Sequence, residues 1–409
     1  MKNQKTITVY EHQRLFVGDN GFKEHHLRAL LKLNEYHEFT YFDAIANGIK
    51  FKQYVGVIQV NGFIIEIHPK ADKNDEDSNW QDVLLQMLQA CGRLKASSAG
   101  YANVNKGHLN LLDVYFELFL NELSQLLHRG LIKQYRKQTA NVKTLKGKLE
   151  FAGNVLHNLV HKERFYTTHQ VYDKNHILHQ VLYKVLEIVA QFSKGTFLYD
   201  YCQRVLLHFP EVKRITVTKK QLDQIKLNQK TAPYINALEL AKLIILNYFP
   251  SISGGQEKMI SLLFDMNKLW EEYILVQLQD CCNKKYPYLR VEGQQTKGFI
   301  GANYLRPDIV ITDKRTDQVC VIDTKWKIAT NDKTSVQDMR QIYTYARFWK
   351  AKKVMLLYPG NKTSSNFRNF ENEFDDPKHQ CKIGFVFVLD DMNKLDTNIA
   401  QNIISQLEI

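Results

Sequence analysis

Hydrophobic positions along this chain recur with two periods, and the switches between them outline its elements. Alternation with period two, the mark of a half-buried strand, appears first at Thr6–Tyr10. It returns from Tyr54 to Lys70, YVGVIQV-NG-FIIEIHPK, where Asn61-Gly62 separates two apolar runs. Asn-Gly supplies the two positive-φ positions of a type I′ turn, so this stretch predicts a hairpin whose second strand Pro69 stops. Ala71–Asn79 reads as a charged, solvated loop. Helical spacing is expected over Phe22–Leu33, Trp80–Leu94, 110–137, Lys174–Phe192 and Asn236–Leu246, with Gly130 interrupting or ending the regular part of 110–137.

Past Ser251–Gln256, a polar, Gly-rich SISGGQ, the pattern becomes that of a compact α/β unit. Leu262–Gln279 predicts a helix and Tyr288–Val291 a strand. Two strands are expected within Tyr304–Lys327, a helix over Thr334–Trp349, strands at Lys353–Tyr358 and Ile383–Leu389, and a last helix. The expected boundary therefore falls near 254, with residues 1–254 β-rich and then helical, and 255–409 a second domain. The fold class is α/β, with a mixed α+β N-terminal half and a C-terminal mixed sheet flanked by helices.

The chemistry concentrates in YLRPDIVITDKRTDQVCVIDTKWK, residues 304–327. Leu305, Ile309 and Ile311 alternate in the first strand, Val319, Val321 and Ile322 enrich the second, and DKRTDQ forms the turn. A hairpin centred between Arg315 and Thr316 sets Asp308 directly opposite Asp323. Cross-strand partners sit about 4.5–5.5 Å apart at Cβ on one face, where two carboxylates repel unless a cation lies between them. Lys325, two residues after Asp323, shares that face. Two acids and an amine on one spot suit Mg²⁺-assisted attack on a phosphodiester.

Composition changes this picture little. The 409 residues, 44% of them hydrophobic, suffice for two or three domains of about 150 residues. A net charge of +12 favours a polyanionic partner. The basic stretch LIKQYRKQTANVKTLKGKLEF (131–151) is either a solvated surface or a contact with nucleic acid or a partner. Six cysteines without a CxxC read as reduced thiols. MKNQKTITVYEH lacks the apolar core of a signal peptide and no run of 18 apolar residues occurs, so a cytoplasmic protein is expected. No GxxxxGK[ST] loop is present, so the chain has no evident nucleotide hydrolysis of its own.

The order P-D, fourteen residues, D-x-K on adjacent strands resembles the PD-(D/E)xK nucleases. The chain as a whole resembles the McrC family, nuclease subunits of McrBC-type restriction systems. FDMNKLWEEY (264–273), LRPDIVI (305–311), VIDTKWK (321–327) and DMRQIYTYA (338–346) carry the nuclease likeness. VGVIQVNGFIIEIHPK (55–70), LKGKLEF (145–151) and YDKNHILHQVL (172–182) carry the rest. The resemblance implies a restriction-endonuclease-like core in which Asp308, Asp323 and the Thr324 carbonyl bind Mg²⁺ or Mn²⁺. Glu271, in preference to Glu272, completes the metal shell directly or through water. Lys325 holds and activates the attacking water, a role compatible with a depressed pKa. Gln341 and Tyr345, a QxxxY pair, orient the site or the DNA. Arg306 meets a phosphate or is a surface charge. Thr324 and Trp326 face away and are expected to tolerate change. The implied partners are methylated double-stranded DNA and a McrB-like AAA+ GTPase hexamer docking on the N-terminal half, where Lys70, Lys148 or Arg164 engages it. The alternatives are a stand-alone repair or recombination nuclease and a non-catalytic adaptor for the AAA+ ring.

Overall fold

The computed structural model describes residues 5–69, 80–94, 110–249, 258–327, 334–360, 362–371, 378–390 and 394–408. Lys70, the loop expected at Ala71–Asn79 and the stretch Ser251–Gln256 lie outside them. The first stretch holds β1 (Lys5–Tyr10), β2 (Arg14–Phe16), α1 (Glu24–Tyr36), β3 (Phe42–Ile45), β4 (Gly48–Phe51), β5 (Tyr54–Val60), β6 (Phe63–His68) and α2 (Trp80–Ala90). The Asn-Gly hairpin forms as expected. Val60 pairs with Phe63, and Asn61 and Gly62 take φ of 49° and 87°.

The middle stretch holds α3 (Leu111–Arg129), β7 (Gln134–Val142), β8 (Lys148–Leu149), α4 (Phe151–Asn158), β9 (Phe165–Asp173), α5 (Ile177–Phe192), α6 (Phe197–His208), α7 (Lys219–Asp223), α8 (Ile235–Leu246) and β10 (Tyr248–Phe249). The helix expected over 110–137 stops at Arg129, where Gly130 turns the chain at φ 85°. The basic residues beyond it are strand, because Gln134–Val142 alternates in exposure and pairs along its length with β9.

The last stretch holds β11 (Met259–Asp265), α9 (Met266–Lys285), β12 (Leu289–Gly293), β13 (Lys297–Ile300), β14 (Asn303–Leu305), β15 (Ile309–Asp313), β16 (Val319–Thr324), α10 (Val336–Trp349), β17 (Lys353–Pro359), β18 (Arg368–Asn369), β19 (Gln380–Val386) and α11 (Ile399–Leu407). The helix expected from Leu262 begins only at Met266, because Asp265 caps it by accepting from the Asn267 and Lys268 amides. Leu262–Asp265 instead extend β11 beside β5. Gly56, at φ 138°, makes that approach possible, since a side chain there would strike the Leu262 carbonyl.

The described residues form two compact units, one from 110 to 260 and one combining 5–94 with 261–408. Packing thus departs from a single cut near 254. Residues 5–94 join the C-terminal part through β11, through the Arg93–Glu272 ion pair at 2.6 Å and through a Trp326 Nε1–Glu11 hydrogen bond at 2.7 Å.

The centre of the second unit is a six-stranded mixed sheet ordered β12-β15-β16-β17-β19-β18. Helix α10 makes the crossover between parallel β16 and β17. Its Ile342, Tyr345, Ala346 and Trp349 pack on Val310, Val321, Val354 and Leu356. The stretch read as one strand from Tyr304 to Ile311 is two. Pro307, which has no N–H for a ladder, separates β14 from β15, and the two lie in different sheets. All six cysteines are free, and among the described residues no helix is long and apolar enough to cross a membrane.

Candidate active site

Strands β15 and β16 pair Ile309 with Ile322 and Val310 with Val321, so one further step sets Asp308 opposite Asp323, as the sequence predicts. Both acids share the face of Val310 and Val321, which α10 covers. Asp323 has a side-chain exposure of only 1%, and its Oδ2 lies 2.6 Å from Lys325 Nζ. That contact is a close ion pair, and Asp323 Oδ1 meets no donor among the described residues. Asp308 Oδ2 accepts from the Thr324 amide at 2.6 Å and from its hydroxyl at 2.9 Å.

A hydrogen-bond chain fixes the lysine. Lys325 Nζ donates to Gln341 Oε1 at 3.3 Å, Gln341 Nε2 to Tyr345 OH at 2.9 Å, and Tyr345 OH to the Arg306 carbonyl at 3.1 Å. The spacing of Gln341 and Tyr345 on α10, one turn apart, makes the middle link possible.

The third acid arrives from α9. Glu272 pairs with Arg93, whereas Glu271 accepts from Gln294 Nε2. Leu275 of α9 packs against Gly293, where a Cβ would meet its methyl groups. Gln294 then turns at φ 51° and donates its amide to the Asp308 carbonyl at 3.0 Å. One residue thus ties both acids. Sequence reading missed it, and its only local trace is the polar GQQ that follows a strand.

Several expectations need correction. Thr324 does not turn away, since its hydroxyl bends back to Asp308. Trp326 is 5% exposed, donates to Glu11 and lies 5.2 Å from the Trp270 ring, so it is core. Tyr345 is also 5% exposed with its hydroxyl engaged, which makes it a brace within the protein. Arg306 is exposed beside the acids. Lys148 and Arg164 belong to the other unit, where they lie 3.8 Å from Glu150 and 3.6 Å from Glu163.

Burial, with the charge of Asp308 added, pushes Asp323 up to about 7. Burial also raises Asp308, although both Thr324 hydrogen bonds pull the other way. Glu271 is raised by burial and by Asp308. Burial pulls Lys325 down, but Asp323, Asp308 and Asp338 outweigh it, so its pKa rises where a depressed one was expected. Three strained carboxyls and an orphaned, buried Asp323 oxygen fit a hard divalent cation bound by oxygen. No three His, Cys, Asp or Glu side chains among the described residues close around an ion unaided, so carbonyl or water oxygens complete any shell.

The family model of the McrBC 5-methylcytosine restriction system component matches residues 49–359. The chain belongs to that family. The matched span contains the Asn-Gly hairpin and every site residue from Glu271 to Tyr345. One curated relative, the type IV methyl-directed restriction enzyme EcoKMcrBC of Escherichia coli K12, is 21% identical over 289 residues, which is 65% of this chain and 82% of that protein. The fold recurs in a refined half-complex from a tetradecameric assembly of Thermococcus gammatolerans McrB AAA+ hexamers with bound McrC. There the identity is 21%, the TM-score is 0.72, and the match covers 98% of this chain and 99% of that one. The cryo-EM structure of the Thermococcus gammatolerans McrBC complex matches at TM-score 0.51 and 23% identity, over 67% of this chain and 87% of that one. The mixed α/β architecture is therefore a family feature across the whole chain.

Proposed function

We propose that this chain is the Mg²⁺-dependent endonuclease subunit of a modification-dependent restriction system, hydrolysing phosphodiesters in double-stranded DNA in the cytoplasm. The observation that carries the reading is the opposed Asp308–Asp323 pair, with a buried oxygen that has no hydrogen-bond partner among the described residues and Lys325 at 2.6 Å. Asp308, Asp323, the Thr324 carbonyl and Glu271 would hold the metal, Mn²⁺ serving as well as Mg²⁺. Bound there, the ion would supply Lewis-acid stabilisation of charge on the phosphoryl oxygens.

The chain's own groups do the rest. Lys325 offers a fixed cation to the attacking water and to the charge that develops on phosphorus-bound oxygen; the water oxygen bonds to phosphorus as one P–O ester bond breaks, and the proton the water gives up is balanced by the one the leaving oxygen takes. Gln341, Tyr345 and the Arg306 carbonyl hold that amine in one orientation. Thr324 fixes the Asp308 carboxylate from two directions.

Control comes from a McrB-like AAA+ GTPase hexamer. The supporting facts are family membership, the archaeal assembly that shares the fold, and the lack of a phosphate-binding loop in the sequence. The cutting chemistry lies in residues 255–409, and the GTPase docks on residues before 255, engaging Lys70, Lys148 or Arg164.

The test mixes the chain with such a GTPase, GTP, Mg²⁺ and methylated duplex DNA. Cleavage is expected, with Asp308→Ala and Lys325→Ala each abolishing it while GTPase stimulation persists. Cleavage that survives both substitutions would refute the nuclease assignment. Cutting by the chain alone would point to an independent repair nuclease.

A further inference from the structure

Strands β13 and β14 pair only with each other among the described residues. Every residue of β13 is exposed, and apolar side chains stand in water, with Phe299 51%, Ile300 69% and Tyr304 67% exposed. A two-stranded ribbon of this kind is marginal by itself. It is braced on α10, where Phe299 lies 5.4 Å from the Phe348 ring and Lys297 Nζ donates to the Phe348 carbonyl at 2.9 Å.

Both legs of the ribbon stand on the candidate active site. At the foot of the first, Gln294 bonds Glu271 and the Asp308 carbonyl. At the foot of the second, the Arg306 carbonyl accepts from Tyr345, and Pro307 leads into Asp308. From Gln294 to Pro307 the sequence carries Lys297 and Arg306 and no acid.

Gly298 sharpens the picture. It pairs with Tyr304, has no positive φ, and a Cβ there would meet nothing within 4 Å. Neither φ nor crowding among the described residues requires a glycine there, although the register shifts between Gly298 and Ile300, and glycine weakens a strand. In a strand, glycine accompanies such a bulge or a ligand that comes close.

We infer that this ribbon enters a groove of the duplex DNA held across the site, with the backbone at Gly298 closest and Ile300 and Tyr304 packed into the groove; the inference rests on the nuclease assignment above. Duplex DNA fits because the segment holds no acid, carries the exposed Arg306 at its foot, emerges from the cutting centre, and is a two-stranded ribbon of the kind that a major groove about 12 Å wide admits. Exposed aliphatic and aromatic side chains then make apolar contacts with the base edges.

The full-length chain is titrated against a fluorescein-labelled duplex, with Ca²⁺ replacing Mg²⁺ so that binding is read without cutting. Gly298→Val is expected to keep the wild-type circular dichroism and melting temperature yet bind the duplex about tenfold more weakly, the size of one lost contact. The double variant Ile300→Ala/Tyr304→Ala changes only exposed side chains, and the same loss is expected, so the test holds even if Gly298→Val misfolds. Wild-type affinity in the variants, or no duplex binding by the wild-type chain, overturns the inference. So does a wild-type dimer in sedimentation that these substitutions dissociate, because the occupant is then a second copy. Asp308→Asn separates the two ideas. If it still cleaves with the GTPase present, the nuclease assignment fails; if it is inactive while ribbon variants bind normally, only the ribbon inference fails.

Discussion

Thr324 donates twice to one oxygen of Asp308, from its amide at 2.6 Å and from its hydroxyl at 2.9 Å. The residue between the second aspartate and the lysine thus holds the first aspartate in place. Thr324→Val preserves shape and the amide bond but removes the hydroxyl. A loss of about 1–3 kcal/mol of orientation is expected, read as a slower cleavage rate and a higher Mg²⁺ requirement. Thr324→Ser should restore both, and a valine variant that cuts at the wild-type rate would refute the role.

Asp323 costs the fold stability at alkaline pH. Burial and the charge of Asp308 push its carboxyl up to about 7 in the folded chain, against about 3.9 for an unfolded aspartate. Between those pH values the folded chain keeps a proton that the unfolded chain has released, so stability falls as pH rises through the window. Asp323→Asn should therefore melt higher than wild type at pH 8, by about 2–4 °C for each kcal/mol recovered, and similarly to it near pH 4. Mg²⁺ should raise the melting temperature of wild type more than that of the variant. Scanning calorimetry at the two pH values decides the matter.

Glu271 and Glu272 are adjacent on α9 but differ in surroundings. Glu271→Gln should weaken Mg²⁺ binding by about 10–100-fold in isothermal titration and slow cleavage. Glu272→Gln loses a partly exposed pair with Arg93, at most about 1 kcal/mol of stability, and should cut normally. Equal effects on metal binding would remove Glu271 from the site.

Tyr345→Phe breaks the link between Gln341 and the Arg306 carbonyl. Cleavage should slow while duplex affinity stays within about twofold of wild type, since the ring is buried. A large drop in affinity in the same titration would return Tyr345 to the DNA.

Away from the site, burial lowers His179 to about 4, and its ring lies between the Lys174 carbonyl at 2.7 Å and Tyr234 OH at 3.2 Å. Below 6.5 the unfolded chain takes up a proton that the folded chain excludes, so stability falls as pH drops from 6.5 through 4 and is unaffected above. The loss should be on the order of 1–3 kcal/mol. In urea titrations His179→Asn should be weaker than wild type at pH 7 and flatter below it.

How much of this was legible in advance follows the range of the interactions. The sequence alone determined the Asp308–Asp323 register, because hairpin pairing is set by a turn of a few residues and by alternation. It likewise determined the Asn61-Gly62 turn and the Gln341–Tyr345 pair, which lie within one turn or one helical step. Periodicity misjudged the places where a neighbour distant in sequence sets the conformation. Leu262–Asp265 reads as helix yet pairs as strand beside β5, and Trp326 reads as outward yet donates to Glu11, 315 residues away. Gln294 joins Glu271 to Asp308 through two hydrogen bonds that no local pattern encodes. The chain's local code placed the two aspartates and the lysine. Only tertiary packing decided what holds them, because burial and cross-element hydrogen bonds exist only once distant segments meet.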